Sequence, residues 1–170
     1  MDQSTAQAMA AIVPRLRRFA YGLTGSIDAG DDLVQSTCER ALSRLHLWQP
    51  GTRLDSWMYR IMQNLWIDEL RSGRRREITT DSDELDAMVG GDAEREVGVR
   101  LDLAAVRRHI AGLPPDQRAV LLLVSVDGLS YKEAAAVLEV PIGTVMSRLA
   151  RARLALARAL EPATASGGSA

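Results

Sequence analysis

The chain has 170 residues, of which 46% are hydrophobic and 25% charged, but only 4% aromatic. Its formal net charge of −1 excludes a freestanding polycation, so any affinity for nucleic acid must come from local patches. The single cysteine, Cys38, excludes an intramolecular disulfide. With only two histidines elsewhere in the chain, the sequence also has no metal-ligand cluster. No apolar run approaches membrane-spanning length, and the N-terminus lacks a signal-peptide core. We therefore expect a cytoplasmic helical protein without membrane insertion.

The first half of the chain predicts three helices. Apolar spacing predicts one over 8–23, with Pro14 in its first turn or at a kink, and a second over 29–47. The apolar face of the second helix comprises Leu33, Val34, Thr37, Cys38, Ala41, Leu42 and Leu45, and its other side carries Asp31, Asp32, Gln35 and Glu39. Because Cys38 lies in the apolar stripe, we predict a core residue rather than a nucleophile.

The third predicted helix, 54–76, follows a Pro-Gly loop over 48–53. One arc of this helix is polar and comprises Ser56, Arg60, Gln63, Asn64 and Arg71. Tyr59 and Trp66 border that arc, and flat rings beside cations and amides suit unpaired bases. The alternative is an ordinary amphipathic helix with its aromatic rings in the core, which is the interpretation that this stretch favours when taken alone.

Residues 77–98 are acidic and contain a glycine pair, which predicts a linker between two domains, with a brief helix over 81–88. Helices are predicted again over 99–111 and 116–126. The tail, 162–170, is small and polar and is predicted to be disordered.

The stretch from Leu129 to Arg153 predicts a helix-turn-helix. Ser130 and Glu133 form a capping box at the start of a short helix that Pro141 stops. A second helix begins near Ile142, and its buried stripe is Val145, Leu149, Ala152 and Leu156. Small hydroxyls and arginines lie off that stripe, as in helices that contact DNA. The alternative is a helical hairpin that merely packs, with its arginines solvated.

These motifs, in this order, resemble those of a bacterial sigma factor of the extracytoplasmic-function (ECF) group. The motifs are DDLVQSTCERAL, WMYRIMQNLWIDELRSGRRR, the acidic linker and LPPDQRAVLLLVSVDGLSYKEAAAVLEVPIGTVMSRLARAR. SIDAGDDLVQ and QPGTRLDSW further resemble the alphaproteobacterial general-stress sigma factors. The resemblance implies an all-α fold of two small helical domains: a σ2-like domain over 1–76 and a σ4-like helix-turn-helix domain over 99–161, joined by the linker 77–98.

The resemblance also implies roles for the exposed polar residues. Docking on the clamp helices of core RNA polymerase would involve Asp31, Asp32, Gln35 and Glu39. The −10 element would contact Trp48, Arg53, Arg60, Gln63, Asn64 and Arg71, with a flipped base in the loop 48–53. The −35 element would contact Thr144, Ser147, Arg148, Arg151 and Arg153, while other helices of that domain meet the polymerase flap. We expect promoter DNA and an anti-sigma factor as partners, and no cofactor, metal or small-molecule substrate. Met146 departs from the family pattern, which often has lysine or arginine there, so we expect one phosphate contact fewer.

Three other classes of protein compete with this interpretation. A sigma-like decoy would bind an anti-sigma factor without touching DNA, but 170 residues leave no room for a fused receiver domain. A dimeric helix-turn-helix repressor would need a dimerisation helix, and none is evident. An enzyme is the least favoured class, because no nucleophile–base pair, metal cluster or Gly-rich phosphate loop is present in the sequence.

Overall fold

The computed structural model describes residues 2–73 and 97–161, with side chains from residue 103 onward in the second range. Every regular element in these residues is helical, so the predicted all-α class is confirmed. The helices are α1 (Gln3–Thr24), α2 (Ile27–Ser43), α3 (Leu54–Arg71), α4 (Val97–Ala111), α5 (Pro115–Leu121), α6 (Tyr131–Leu138) and α7 (Ile142–Ala159). A 3-10 turn, Leu45–Leu47, follows α2, and a π-helical turn, Leu122–Val126, follows α5. The predicted brief helix over 81–88 and the tail lie outside the described residues.

Helix α1 begins five residues earlier than predicted. Asp2 caps it by accepting a hydrogen bond from the Ser4 amide at 3.4 Å, and the polar first turns carry no apolar period that could have indicated a helix. Pro14 lies inside the helix, not in its first turn. The helix ends at Thr24, because the next residue, Gly25, has a left-handed φ of 70° and donates its amide to the Tyr21 carbonyl at 2.8 Å.

Helix α2 is shorter at its C-terminus than predicted, and its buried stripe is narrower. Ser26 caps its start, and its buried apolar positions run from Leu33 to Ala41. The prediction that Leu42 is a core residue is wrong, because its side chain is 49% exposed. Successive residues turn by about 100° around a helix, so Leu42 points away from the stripe that ends at Ala41.

Helix α3 has its aromatic rings in the core. Tyr59 and Trp66 are fully buried, and the Tyr59 ring meets Phe19 of α1 edge-on at 5.3 Å between ring centroids. The hypothesis that these two rings stack on unpaired bases is therefore wrong, and the alternative of an ordinary amphipathic helix holds for them. The reason is packing against α1, which α3 alone could not indicate.

The two halves of the chain meet at a buried arginine. Arg118 of α5 is 6% exposed and donates hydrogen bonds to the Leu23 carbonyl at 2.6 Å, Ala111 at 2.7 Å and Leu113 at 2.9 Å. Its guanidinium carbon also lies 5.6 Å from the centroid of the Trp66 ring. One side chain therefore connects the end of α1, helix α3 and the turn between α4 and α5.

Apolar contact surrounds this arginine. Leu122 packs so closely on α1 that a methyl group added at Gly22 would lie 2.7 Å from its side chain. The sequence predicted two domains joined by a linker, and the buried residues of both form a single cluster. Burial of apolar surface, with Arg118 at its centre, therefore holds the halves together in this arrangement.

Replacing Arg118 with methionine tests this account of the fold. The substitution removes three hydrogen bonds to carbonyl groups in a dry environment, so the free energy of unfolding should fall by about 3 kcal/mol. Urea denaturation followed by tryptophan fluorescence measures the change. Arg158→Met, at an exposed position of α7, is the matched control and should cost less than about 0.5 kcal/mol. Equal stability of the two variants would contradict the central role of Arg118.

Candidate functional site

Four polar side chains form an exposed acidic face on α2: Asp31, Asp32, Gln35 and Glu39. The Gln35 amide donates a hydrogen bond to Glu39 at 3.2 Å, and the Tyr21 hydroxyl donates one to Asp31 at 2.6 Å. Desolvation and the Asp31 carboxylate together raise the pKa of Tyr21 to about 12, so its hydroxyl remains a donor at neutral pH. Leu33 and Val34 are buried beneath this face. The acidic face thus lies on a helix that packs on the core, and it is accessible to a partner.

A second polar site lies at the start of α3, where Asp55 holds two arginines. Its carboxylate accepts hydrogen bonds from Arg53 at 2.7 Å and from Arg15 of α1 at 3.0 Å. Burial pushes the pKa of Asp55 upward, but the hydrogen bonds from Arg53, Arg15 and the Ser56 amide outweigh it and lower the pKa. Asp55 therefore stays ionised and fixes the direction of the Arg53 side chain, which is itself 54% exposed.

The arginines of this site also contact the second half of the chain. Arg53 pairs with Glu133 of α6. Arg60 donates a hydrogen bond to the Ala136 carbonyl at 2.9 Å and lies 3.6 Å from the Glu139 carboxylate. Helix α6 therefore lies over the part of α3 for which the family resemblance implies contact with the −10 element.

The remaining residues assigned to the −10 element differ in accessibility. Asn64 and Arg71 are exposed, whereas Trp48 is half-buried and packs against the core. Gln63 is 6% exposed. Its assignment to the DNA-contacting face needs correction, because the buried stripe of α3 passes through positions 59, 62, 63 and 66.

The helix-turn-helix is formed by α6 and α7. The Ser130 hydroxyl accepts the Glu133 amide at 3.1 Å, which confirms the serine half of the predicted capping box. Helix α6 ends at Leu138, because Glu139 adopts a left-handed φ of 56° and the Val140 amide donates to the Ala135 carbonyl at 3.1 Å. Pro141 caps the next helix instead of stopping the previous one.

Helix α7 presents its cations away from the core. Val145, Leu149 and Ala152 are buried, as predicted. The outward residues are Thr144, Ser147, Arg148, Arg151 and Arg153, of which Thr144 and Arg148 are half-buried. The Ser147 hydroxyl donates to the Thr144 carbonyl at 3.1 Å, and Arg148 lies 3.5 Å from the Asp116 carboxylate. The helix contains four arginines and no acidic residue, which suits a polyanionic partner.

Two exposed apolar side chains lie in the N-terminal half of α7, and only one of them, Met146, was singled out by the sequence analysis. Ile142 is 45% exposed and Met146 is 52% exposed. They are four residues apart and both lie off the stripe that contains Val145 and Leu149. That spacing was visible in the sequence, but the side chains lie near the edge of the apolar stripe, and only the structure decides on which side of the edge they fall.

A metal-binding cluster and a membrane-spanning helix are both absent from the residues that the structure describes. Across 2–73 and 97–161, no group of three or more His, Cys, Asp or Glu side chains could hold a metal ion. Within those same ranges, no helix combines the length and apolarity needed to cross a membrane.

Comparison with known proteins identifies the family. Residues 9–63 match the family described as the sigma2 domain of PhyR, and residues 103–156 match sigma-70, region 4. The ECF RNA polymerase sigma factor EcfG of Rhodopseudomonas palustris is 39% identical over 152 residues, which cover 88% of this chain and 81% of that protein. The chain belongs to the ECF sigma factors of RNA polymerase. It is therefore a transcription factor of the initiation step and not an enzyme, as its motifs predicted.

Solved structures share the arrangement of this ECF sigma factor. The sigma factor RpoE of Bartonella quintana, solved in complex with the anti-sigma factor NepR, superposes with a TM-score of 0.75 at 29% identity, covering 94% of this chain and 98% of that one. The anti-anti-sigma factor PhyR of the same organism, also complexed with NepR, gives a TM-score of 0.62 at 18% identity over 92% of this chain and 50% of that one. The second likeness extends to the fold alone.

Replacing Asp55 with asparagine tests how Arg53 is held. The variant loses charge-assisted hydrogen bonds, so at pH 7 its free energy of unfolding should fall by about 2 kcal/mol. The pKa of Asp55 is lowered from its ordinary value of 3.8. The stabilisation is therefore present above pH 3.8 and disappears as the pH falls through the pKa of the folded state. Urea titrations at several pH values between 3 and 7 should show the difference from wild type shrinking toward acid.

Asp127→Asn is the control for the sign of this effect. Asp127 pairs with Arg18 at 3.0 Å, but its side chain is fully buried and desolvation raises its pKa. The stabilisation linked to this group is therefore present at acid pH and is lost as pH rises through the folded pKa. Relative to wild type, D127N should gain stability toward neutral pH, whereas D55N should lose it. The same pH trend in both variants would contradict the assigned roles.

Proposed function

We propose that this ECF sigma factor docks on core RNA polymerase through α2, captures the −10 element with α3 and reads the −35 element with α7, under the control of an anti-sigma factor in a stress response. The observation that carries the proposal is α7 itself: the second helix of a helix-turn-helix, with four arginines and no acidic residue. Arginine pairs bidentately with guanine, and serine and threonine bond to bases or phosphates. Thr144, Ser147, Arg148, Arg151 and Arg153 are the proposed contacts.

Docking on the polymerase clamp helices is assigned to Asp31, Asp32, Gln35 and Glu39. This assignment is supported by the accessibility of the acidic face: its side chains are exposed, while the apolar side of α2 packs on the core. Complementary charge on a partner would steer association to this face. The flap is the proposed partner of the second domain.

Capture of the −10 strand is assigned to Arg53, Arg60, Asn64, Arg71 and Trp48, without Gln63. Arg53 and Arg60 are occupied by Glu133, Glu139 and the Ala136 carbonyl in this arrangement. DNA phosphates would compete for the same two guanidinium groups, so α6 has to move away before the strand binds. Polymerase binding is the event that we expect to separate them.

Control by an anti-sigma factor is supported by the similarity to RpoE, which was solved with NepR. The general-stress role rests on the resemblance of SIDAGDDLVQ and QPGTRLDSW to that group of sigma factors, and the EcfG relative is consistent with it.

A decoy for an anti-sigma factor is the second candidate. The observation in its favour is that residues 9–63 match the sigma2 domain of PhyR, and a protein of that name is an anti-anti-sigma factor. A decoy needs no basic recognition helix, whereas α7 exposes Arg151 and Arg153. Co-purification with core polymerase supports the initiation factor, and recovery of only a small anti-sigma protein supports the decoy.

Replacing Asp32 and Gln35 together with alanine tests the docking surface. Both side chains are exposed, so thermal stability should change by no more than about 0.5 kcal/mol, while competition for core polymerase should fall sharply. Asp28→Ala, in the first turn of the same helix, is the control. Normal competition by the double variant would assign docking to another surface.

Replacing Arg148 with alanine tests the −35 contact. In run-off transcription with core polymerase and genomic DNA, promoters that carry the base read by Arg148 should lose on the order of 1–3 kcal/mol of binding. Promoters altered at that base should lose less. Equal losses on every promoter would make Arg148 a phosphate contact.

A further inference from the structure

The recognition helix exposes apolar side chains in the half that lies nearest to its N-terminus. Ile142 and Met146 are 45% and 52% exposed, and neither packs in the core, because Val145 and Leu149 fill that side of the helix. Isolated exposed apolar residues are common on protein surfaces. Here two of them are one turn apart, on the segment of a recognition helix that enters the DNA groove first, so an apolar contact at the binding surface is indicated.

The charge around these side chains indicates what they contact. Arg153 lies seven residues after Met146, on the same side of the helix two turns later, and is exposed. Helix α7 has no acidic residue to balance its arginines. A cationic surface with an apolar strip fits DNA better than it fits the apolar surface of another protein. The apolar group that base pairs present in the major groove is the thymine methyl.

We propose that Met146, with Ile142 beside it, is a specificity-determining residue that reads a thymine methyl group in the −35 element. The inference rests on the proposed function, which brings α7 into the major groove. The flexible thioether side chain packs on the methyl and removes both from water. In place of the phosphate contact that a basic residue would make at this position, methionine provides discrimination between bases.

Deoxyuridine tests the proposal because it differs from thymidine only by the absent methyl group. The full chain is assembled with core polymerase on promoters recovered by run-off transcription. Each thymine of either strand in the −35 element is replaced in turn by deoxyuridine, and complex formation is measured by competition. Replacing one particular thymine should lower the affinity of the wild-type protein about fourfold, because the burial of one methyl group is lost. Elsewhere the two bases should bind equally.

Met146→Ala should remove this difference, so that thymine and deoxyuridine promoters bind the variant equally. Alanine favours helix at least as well as methionine, and the side chain is outside the core, so the variant should fold normally. Leu154→Ala is the matched control: Leu154 is also 52% exposed on α7 but lies two turns further along, and its variant should keep the fourfold difference.

Three results would overturn the proposal. The first is the absence of a methyl effect in the wild type. It would appear either as equal binding of thymine and deoxyuridine at every position or as recovery of promoters with no A·T pair in the −35 element. The second is a fourfold difference that persists in M146A. The third is an M146A defect in core binding that is the same with every DNA, which would make Met146 a protein contact. If base-pair substitutions in the −35 element also have no effect, the placement of α7 fails as well; if they still matter, only the role of Met146 fails.

Discussion

The packing of Arg118 is the interaction on which this arrangement of the chain depends. A guanidinium group that is taken out of water is costly unless its donors are satisfied, and here three carbonyl groups and an aromatic ring surround it. Those partners come from the end of α1, the turn after α4 and helix α3. The positions of the acidic face on α2 and of the arginines on α3 relative to the helix-turn-helix follow from this one contact and the apolar residues around it.

The size of each free-energy contribution distinguishes the contacts that hold the two domains together from the ion pairs that merely lie between them. The pairs Arg53–Glu133 and Arg60–Glu139 involve side chains that are 32% to 61% exposed, and such pairs contribute about 0–1 kcal/mol each. They are also weakened by salt. Burial of the Leu122 side chain, which packs against Gly22, contributes about 1.5–3 kcal/mol and so exceeds either ion pair. The ion pairs therefore cover the two arginines without being the main attachment, and in the proposed function a phosphate backbone displaces them once the domains separate.

Local patterns in the sequence were sufficient to predict the helix-turn-helix. The Ser130–Glu133 cap and the stripe of Val145, Leu149 and Ala152 depend only on residues within a few turns of one another, and both are present in the structure. Burial that depends on distant partners was not predictable. Tyr59 is buried by Phe19 of α1, and Arg118 finds an acceptor 95 residues away, at Leu23. Gln63 was assigned to the wrong face for the same reason, since the direction of the buried stripe on α3 is set by its neighbours.

The most direct test of the central claim is a gel-shift titration on duplex promoter DNA at near-physiological salt. The chain has a net charge of −1, so few phosphates can be neutralised by the arginines of α7 alone, and counterion release gives little affinity. An intact duplex also offers no unpaired −10 bases to α3. The isolated protein should therefore bind promoter duplex weakly, and addition of core polymerase should produce a stable, sequence-specific complex. Tight, sequence-specific binding by the isolated protein would contradict the account and favour a self-sufficient repressor.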